Sequence, residues 1–251
     1  MSISIIKHYL FRSMSDKFGL IIQVIAPILI ASVMTSIGHN SAEGYGHLVD
    51  GHDMIATGNF LVNMLIFQFM SAGYMSEYIH YDFKSDRRWR LLATPVSLNK
   101  YVFSALAACI VYALISGFAV LAFGYFVFNV YMGNIVIIVI TLVLTAIFSQ
   151  LMGMIIGLCT KTASASNALV QVVGWALLIF SGFFIGLNIG VITDFLGTYS
   201  PFSLAVDAIF YSGIFTNMDR INDAYRSLGI LAGVTVVTAA AAWLVVRSRP
   251  V

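Results

Sequence analysis

Long apolar runs alternate with short polar punctuation along this chain. Between Lys100 and Lys161, sixty residues pass without one Asp, Glu, Lys or Arg. About twenty apolar residues in a helix cross the roughly 30 Å hydrocarbon core of a bilayer. The stretch therefore holds two spans, with Asn129-Val130-Tyr131-Met132-Gly133-Asn134 as the turn between them. Other uncharged windows lie between Lys17 and Glu43, Met54 and Ser76, Thr162 and Thr193, and Ser227 and Val246. The pattern predicts an all-α polytopic membrane protein, one transmembrane domain over 1–251. Its six spans are expected near 18–38, 54–76, 101–128, 135–159, 165–186 and 228–246. The third is long enough to tilt or to project from the bilayer. Glycines punctuate 183–193, which leaves a re-entrant course open before Asp194.

Composition agrees with that reading. The chain is 60% hydrophobic and 10% charged, with mean hydropathy +0.93, outside the balance of soluble domains. Lys7, Arg12 and Lys17 precede the first apolar run, as in a secretion signal. The run is too long for one, contains Pro27 and meets no small-residue cleavage site, so it reads as a retained span.

Charge sets the orientation. With six spans, Lys7, Arg12, Lys17, Lys84, Arg87, Arg88, Arg90, Lys100, Lys161, Arg247 and Arg249 share one side, and only Arg220 and Arg226 the other. That bias predicts a plasma-membrane protein with both termini in the cytoplasm. Glu43, Asp50, Asp53, Asp194, Asp207, Asp219 and Asp223 then face outward. The net charge of +2 implies no nucleic-acid partner, because the basic residues border spans and suit lipid headgroups. Cys109 and Cys159 both fall in spans and read as small packing residues.

Polar residues inside the spans are few. Asn59 and Asn63 lie one turn apart in the second span, with Gln68 beyond them and Glu77 at its cytoplasmic end. Asn167 and Gln171 share a face of the fifth, followed by Trp175. Amides facing lipid are costly, so these residues serve either helix–helix hydrogen bonds or a substrate path. Ser149, Gly153 and Gly157, and likewise Gly182, Gly186 and Gly190, recur every four residues, a spacing that lets helices approach closely. In the first external loop His39, Glu43, His47, Asp50, His52 and Asp53 match no compact metal-ligand pattern and read as a solvated loop, with no metal expected.

Enzyme classes are disfavoured. Every histidine lies outside the span interiors, which leaves Ser116 and Ser181 no activating base, and His-Glu-x-x-His is absent. A secondary transporter usually relies on buried ionisable groups, and here the span interiors are nearly free of charge.

The most charged segment is 77–100, between the second and third spans. Residues 82–93 predict a helix that sets Phe83, Trp89 and Leu92 on apolar contacts and leaves Arg87, Arg88 and Arg90 solvated, with Pro95 ending it. Its Arg90-Leu91-Leu92-Ala93-Thr94-Pro95-Val96 resembles the Leu-Leu-Ala-Thr-Pro-Val signature of ABC-2 type (type V) exporter permeases. Ser181-Gly182-Phe183-Phe184-Ile185-Gly186 is similar to that family's Ser-Gly-rich end of span five. Tyr199-Ser200-Pro201-Phe202, followed by Asp207, is similar to its external segment before span six. Residues 2–17, with Ile5, Ile6, Tyr9 and Leu10, resemble its amphipathic interfacial helix. Many relatives carry Glu-Arg and then Gly-Thr before the signature, where this chain has Asp82-Phe83 and Asp86-Arg87.

The resemblance implies a coupling helix that contacts a separate ATPase through Asp82, Asp86, Arg87, Arg88, Arg90, Leu91, Leu92, Thr94 and Pro95. It implies a substrate path near Asn167, Gln171, Trp175 and Phe183, to which the in-span amides Asn59, Asn63 and Gln68 are added by their polarity alone. The chain has no Gly-Lys pair and no Leu-Ser-Gly-Gly-Gln, so it holds no nucleotide cofactor; ATP and Mg would sit on the partner ATPase. Six spans are half an exporter's complement, which implies a second permease chain, identical or related. The Ala-Thr-Pro-Val form is similar to drug and antibiotic exporters and implies a hydrophobic or amphiphilic cargo. A polysaccharide or Na⁺ exporter of the same superfamily, or an ion-coupled secondary transporter, is the alternative.

Overall fold

The computed structural model describes residues 3–41, 48–49, 52–85, 87–94, 96–180, 195, 197–214 and 221–248. Helix α1 (Ile3–Ser15) precedes α2, the span Lys17–Ile37, which continues helically to Ser41. A two-residue ribbon follows: β1 (Leu48–Val49) runs antiparallel to β2 (His52–Asp53). Then come α3 (Met54–Phe83), α4 (Arg88–Leu92), α5 (Leu98–Phe128), α6 (Ile135–Cys159), α7 (Ala163–Phe180), α8 (Pro201–Ile209) and α9 (Ile221–Ser248). Among the described residues, α2, α3, α5, α6 and α9 are long and apolar enough to cross a membrane, and α7 is a shorter apolar helix.

The expected boundaries hold closely for α2, α5 and α6. Two spans are longer than composition suggested, because charged and polar residues continue the helix past the apolar window. Thus α3 extends to Phe83 rather than 76, and α9 begins at Ile221 rather than 228. At 31 residues α5 is about 46 Å long, well beyond the hydrocarbon thickness. It ends as the turn predicted: Asn129 takes a left-handed φ of 51°, which Asn tolerates, and its N–H reaches the Gly124 carbonyl. Asn134 then caps α6, its side chain accepting from the Val136 N–H at 3.1 Å. In α2, Pro27 lacks the N–H that would bond the Gln23 carbonyl, and the helix widens to a π turn over Ile21–Ile25 just before it.

Helices α3 and α6 form the centre, packed against one another and both against α5, α7 and α8. Their seam depends on the small residues singled out above. A Cβ on Gly153 would strike the Ala72 carbonyl, and one on Gly157 would come within 3.0 Å of the Ser76 Cα. Around the seam one apolar cluster gathers Phe60, Leu65, Ile138, Leu142 and Phe202. A second, at the end of the bundle that carries α1 and α4, gathers Tyr9, Met75, Ile79, Phe83, Cys109 and Met154. Cys109 is a packing residue as expected, whereas Cys159, on the last turn of α6, is exposed.

The segment before α9 packs into the bundle through Phe202, Leu204 and Ala205. Ser200 caps α8 and Pro201 takes its first turn, where a missing N–H costs nothing. Phe202 is thereby buried against Phe69, with ring centroids 5.7 Å apart, and Phe69 in turn stands edge-on to Phe148 at 5.7 Å. Residues 183–193, and with them the re-entrant possibility, lie outside the described residues.

Candidate functional site

At its C-terminal end the backbone of α3 leaves α-helical geometry. A π turn covers Ile79–Phe83, the chain bends at Lys84-Ser85, and α4 spans only Arg88–Leu92. The continuous helix expected over 82–93 is therefore broken. Its first residues complete α3, and the bend is held by tertiary contacts that periodicity cannot register. The Lys84 ammonium donates to the carbonyls of Gly157, Leu158 and Thr160 at 2.9, 2.9 and 2.6 Å, closing the last turn of α6. His80 Nε2 pairs with the Thr160 hydroxyl at 2.9 Å. Neither contact was read from the sequence, which carries no signal of which carbonyls a lone lysine will meet.

On the opposite side of the bend lies an ionic corner. Asp82, its side chain 10% exposed, accepts from Arg12 Nη1 of α1 at 2.7 Å, and Arg87 Nη1 stands 3.9 Å from its other oxygen. The Arg12 guanidinium lies 4.8 Å over the Tyr78 ring, and the Ser13 and Tyr78 hydroxyls bond at 2.7 Å. Burial alone would favour neutral Arg12, but the hydrogen bond and charge of Asp82 outweigh it and hold the guanidinium above its ordinary pKa. Burial, reinforced by Asp82, likewise pushes the Tyr9 phenol up. A cavity of about 540 Å³ opens here, bordered by His8, Arg12, Asp82, Arg87, Leu91 and Tyr101.

Two expectations for this segment change. Trp89 is 72% exposed rather than packed, because the short α4 turns it away from the bundle. Arg88 is half-buried rather than solvated, and its Nε has no hydrogen-bond partner among the described residues. Phe83 is buried as expected. Thr94 Oγ1 donates to the Leu91 carbonyl at 2.6 Å and closes α4. Of Arg90 and Leu92 only the backbone is described, and Asp86 and Pro95 lie outside the described residues.

The in-span amides divide between two environments. Gln68 is buried at the α3–α6 seam, where Nε2 donates to the Leu142 carbonyl at 2.8 Å and Oε1 accepts from Thr145 at 2.8 Å. Beside it Gln150 Nε2 donates to Ser71 Oγ at 2.7 Å. Asn63 is buried and donates to the Asn59 carbonyl of its own helix, and Asn59 reaches Thr35 of α2 at 3.4 Å. These three sit in helix packing. Asn167 and Gln171 instead line a cleft between α2, α3 and α7, where Asn167 Nδ2 donates to Glu77 Oε1 at 2.7 Å. Trp175 is exposed on α7, and Phe183 lies outside the described residues. Asp16 and Gln23 also line this cleft and were missed, since neither shares a sequence pattern with α7.

The amphipathic α1 uses its expected face, Ile5, Ile6, Tyr9 and Leu10, to pack on the bundle. Ile3, Phe11 and Met14 form a second apolar set that stays exposed. In the loop before α3, Asp53 is the N-cap, accepting from the Ala56 N–H at 3.0 Å. Glu43, His47 and Asp50 lie outside the described residues, as do the side chains of His39 and His52.

Several spanning helices around a polar seam, with a basic corner at one end, define a multi-pass membrane protein. Its family is shown directly. The chain belongs to the ABC-2 type transporter family, whose model matches residues 3–215. It is thus a permease component of a transporter and not its ATPase. No curated protein matches the chain.

Proposed function

We propose that this chain is the transmembrane subunit of an ATP-driven exporter that moves a hydrophobic or amphiphilic cargo out of a bacterial cytoplasm. In this reading α7 continues as the fifth of six spans, both termini are cytoplasmic, and the whole of 1–251 is one transmembrane domain. A separate ATPase carries ATP and Mg, and a second permease chain completes the pathway. The exposed apolar faces of α2 (Leu29, Val33) and α7 (Val172, Trp175) suit lipid or that second chain.

The observation that carries the proposal is the ionic corner. Asp82 ties α1 to the bend before α4, and Lys84 ties the same bend to α6. A push on α4 is thereby delivered to three helices together, which is what coupling to an external motor requires. The surface of α4, with Trp89 and Arg87 exposed, is the face offered to the ATPase. Closure of the ATP-bound partner would move this corner and open the path outward.

The test is purification with native membrane neighbours in mild detergent, followed by ATP-dependent flux in vesicles. A stoichiometric P-loop ATPase is expected. Replacing Arg87, Arg88 and Arg90 together with Ala should detach that ATPase while membrane insertion survives. Unchanged association and transport in the triple variant would remove α4 as the docking element.

A further inference from the structure

The cavity of about 540 Å³ between α1, the bend after α3 and the start of α5 has the size of a small-ligand site. Its charge is unbalanced. Arg12, Arg87 and His8 border it, and among the described residues Asp82 is the one carboxylate that does. Asp82 is already shared, with Arg12 Nη1 at 2.7 Å and Arg87 Nη1 at 3.9 Å. The longer distance is no hydrogen bond, so the Arg87 guanidinium, its side chain 63% exposed, keeps its donors free among the described residues. The Tyr101 hydroxyl borders the same cavity and likewise has no hydrogen-bond partner among the described residues. Donors and positive charge thus outnumber the acceptors that answer them. That surplus is the complement of a phosphate oxyanion, which a guanidinium fork fits well.

What stands beside the cavity narrows the ligand. Ser4 and His8, on its α1 wall, share a helix face with Phe11, at i, i+4 and i+7. Phe11 is 72% exposed, and Ile3 and Met14 are exposed on the same flank. Ile5 and Leu91 add apolar surface inside. A soluble oxyanion would use only the polar half of this arrangement. A phospholipid uses both halves, its phosphate among the arginines and its chains along Phe11. Basic pockets beside spanning helices hold anionic headgroups in this way.

We propose that this cavity holds the headgroup of one anionic phospholipid, with Arg12, Arg87 and His8 receiving the phosphate and the exposed apolar flank of α1 the acyl chains. The bound phosphate joins α1 to the bend beside the Asp82 bridge and stiffens the ionic corner. This site goes beyond the exporter reading and does not depend on it.

The experiment is native mass spectrometry of the purified full-length chain, titrated in neutral detergent with phosphatidylglycerol or phosphatidylcholine. The second lipid keeps the phosphate and loses the net charge. One phosphatidylglycerol should bind about tenfold more tightly than phosphatidylcholine. Arg87→Gln should weaken phosphatidylglycerol binding about fivefold, the scale of one basic residue near an anionic surface. His8→Gln should weaken it less, and it leaves the Arg12–Asp82 bridge in place, which keeps the test valid where Arg87→Gln disturbs the corner. Lys161→Gln removes a charge beyond α6, outside the cavity, and should leave binding unchanged. Equal binding of the two lipids, wild-type affinity in both cavity variants, or an equal loss in Lys161→Gln overturns the proposal. Glycerophosphoglycerol, the headgroup without its chains, separates the sources. Displacement of the lipid by an equal concentration of it assigns the cavity to a soluble phosphate and overturns the lipid. Loss of the bound lipid on forming a stoichiometric ATPase complex assigns the arginines to that partner and overturns it too. The titration itself uses neither ATP nor a partner, so a failure of ATP-driven flux leaves its result standing.

Discussion

Helix α3 presents two faces with opposite treatments of polar groups. Toward α6, Gln68 has both ends of its amide bonded across the interface, Ser71 joins Gln150, and backbones meet at Gly153 and Gly157. Toward α2 and α7, Glu77 and Asn167 bond to one another but border a cleft, and Gln23 keeps an acceptor unused among the described residues. A membrane helix offers no hydrophobic drive for association, because lipid tails are as apolar as leucine. Close backbone approach and satisfied hydrogen bonds must then hold the seam. Polar groups released from that duty are the ones that border the cleft. The same residue type, an amide in a span, thus has two roles that depend only on what the neighbouring helix supplies.

The largest break in this contrast should come from Gly153→Leu. The new side chain has only the Ala72 backbone in front of it, and overpacking of this kind costs about 3 kcal/mol. Denaturant titration in micelles should show that loss, with the cleft variants Glu77→Gln and Asp16→Asn close to wild type. A stable Gly153→Leu would mean that the α3–α6 seam is looser than its contacts indicate. Next comes Gln68→Leu, which removes two bonds across the seam and should cost about 1 kcal/mol. Transport per folded molecule should not change, since Gln68 lies outside the cleft. A specific transport defect at full stability would move Gln68 to the cleft's side of the comparison.

Lys84→Met sharpens the comparison at the end of α3. It frees three carbonyls at the last turn of α6, and stability should fall by somewhat under 1 kcal/mol, on the scale of one cation near a helix C-terminus. Hydrogen exchange should quicken at Gly157–Thr160 first. The smallest effect is expected on α8. Burial pushes the Asp207 carboxyl up to about 6, above its unfolded value near 3.9. The folded state therefore holds this proton more tightly, and the associated stability is present below about pH 4 and lost as pH rises through about 6. Thermal unfolding of Asp207→Asn should lack that decline between pH 4 and 7, while the wild type shows it.

How much of this was legible in the chain depends on the physics involved. The turn at Asn129–Asn134, the bounds of α6 and the small-residue spacing on it were read correctly, because each is decided within a few residues by hydropathy, capping and left-handed tolerance. The signature at Leu91–Pro95 led to the right family. The bend after Phe83 was missed, because it is fixed by Asp82 meeting Arg12 seventy residues earlier and Lys84 meeting carbonyls more than seventy residues later. The burial of α8 was missed too. Its apolar run is too short to register as a span, and only the Phe69 ring on α3 explains where Phe202 goes.

The sequence by itself determined that the chain lives in a membrane, where most of its helices begin and end, and which side is basic. Those follow from transfer free energies and backbone preferences that each segment carries alone. Only the tertiary structure decided which polar residues are consumed in packing and which remain at a cleft. That outcome is a property of pairs: an amide on α3 is bonded across the seam to Thr145 and Leu142, whereas the amides of α2 and α7 border the cleft beside Asp16. No single segment contains that information, because each hydrogen bond is settled by the helix across from it.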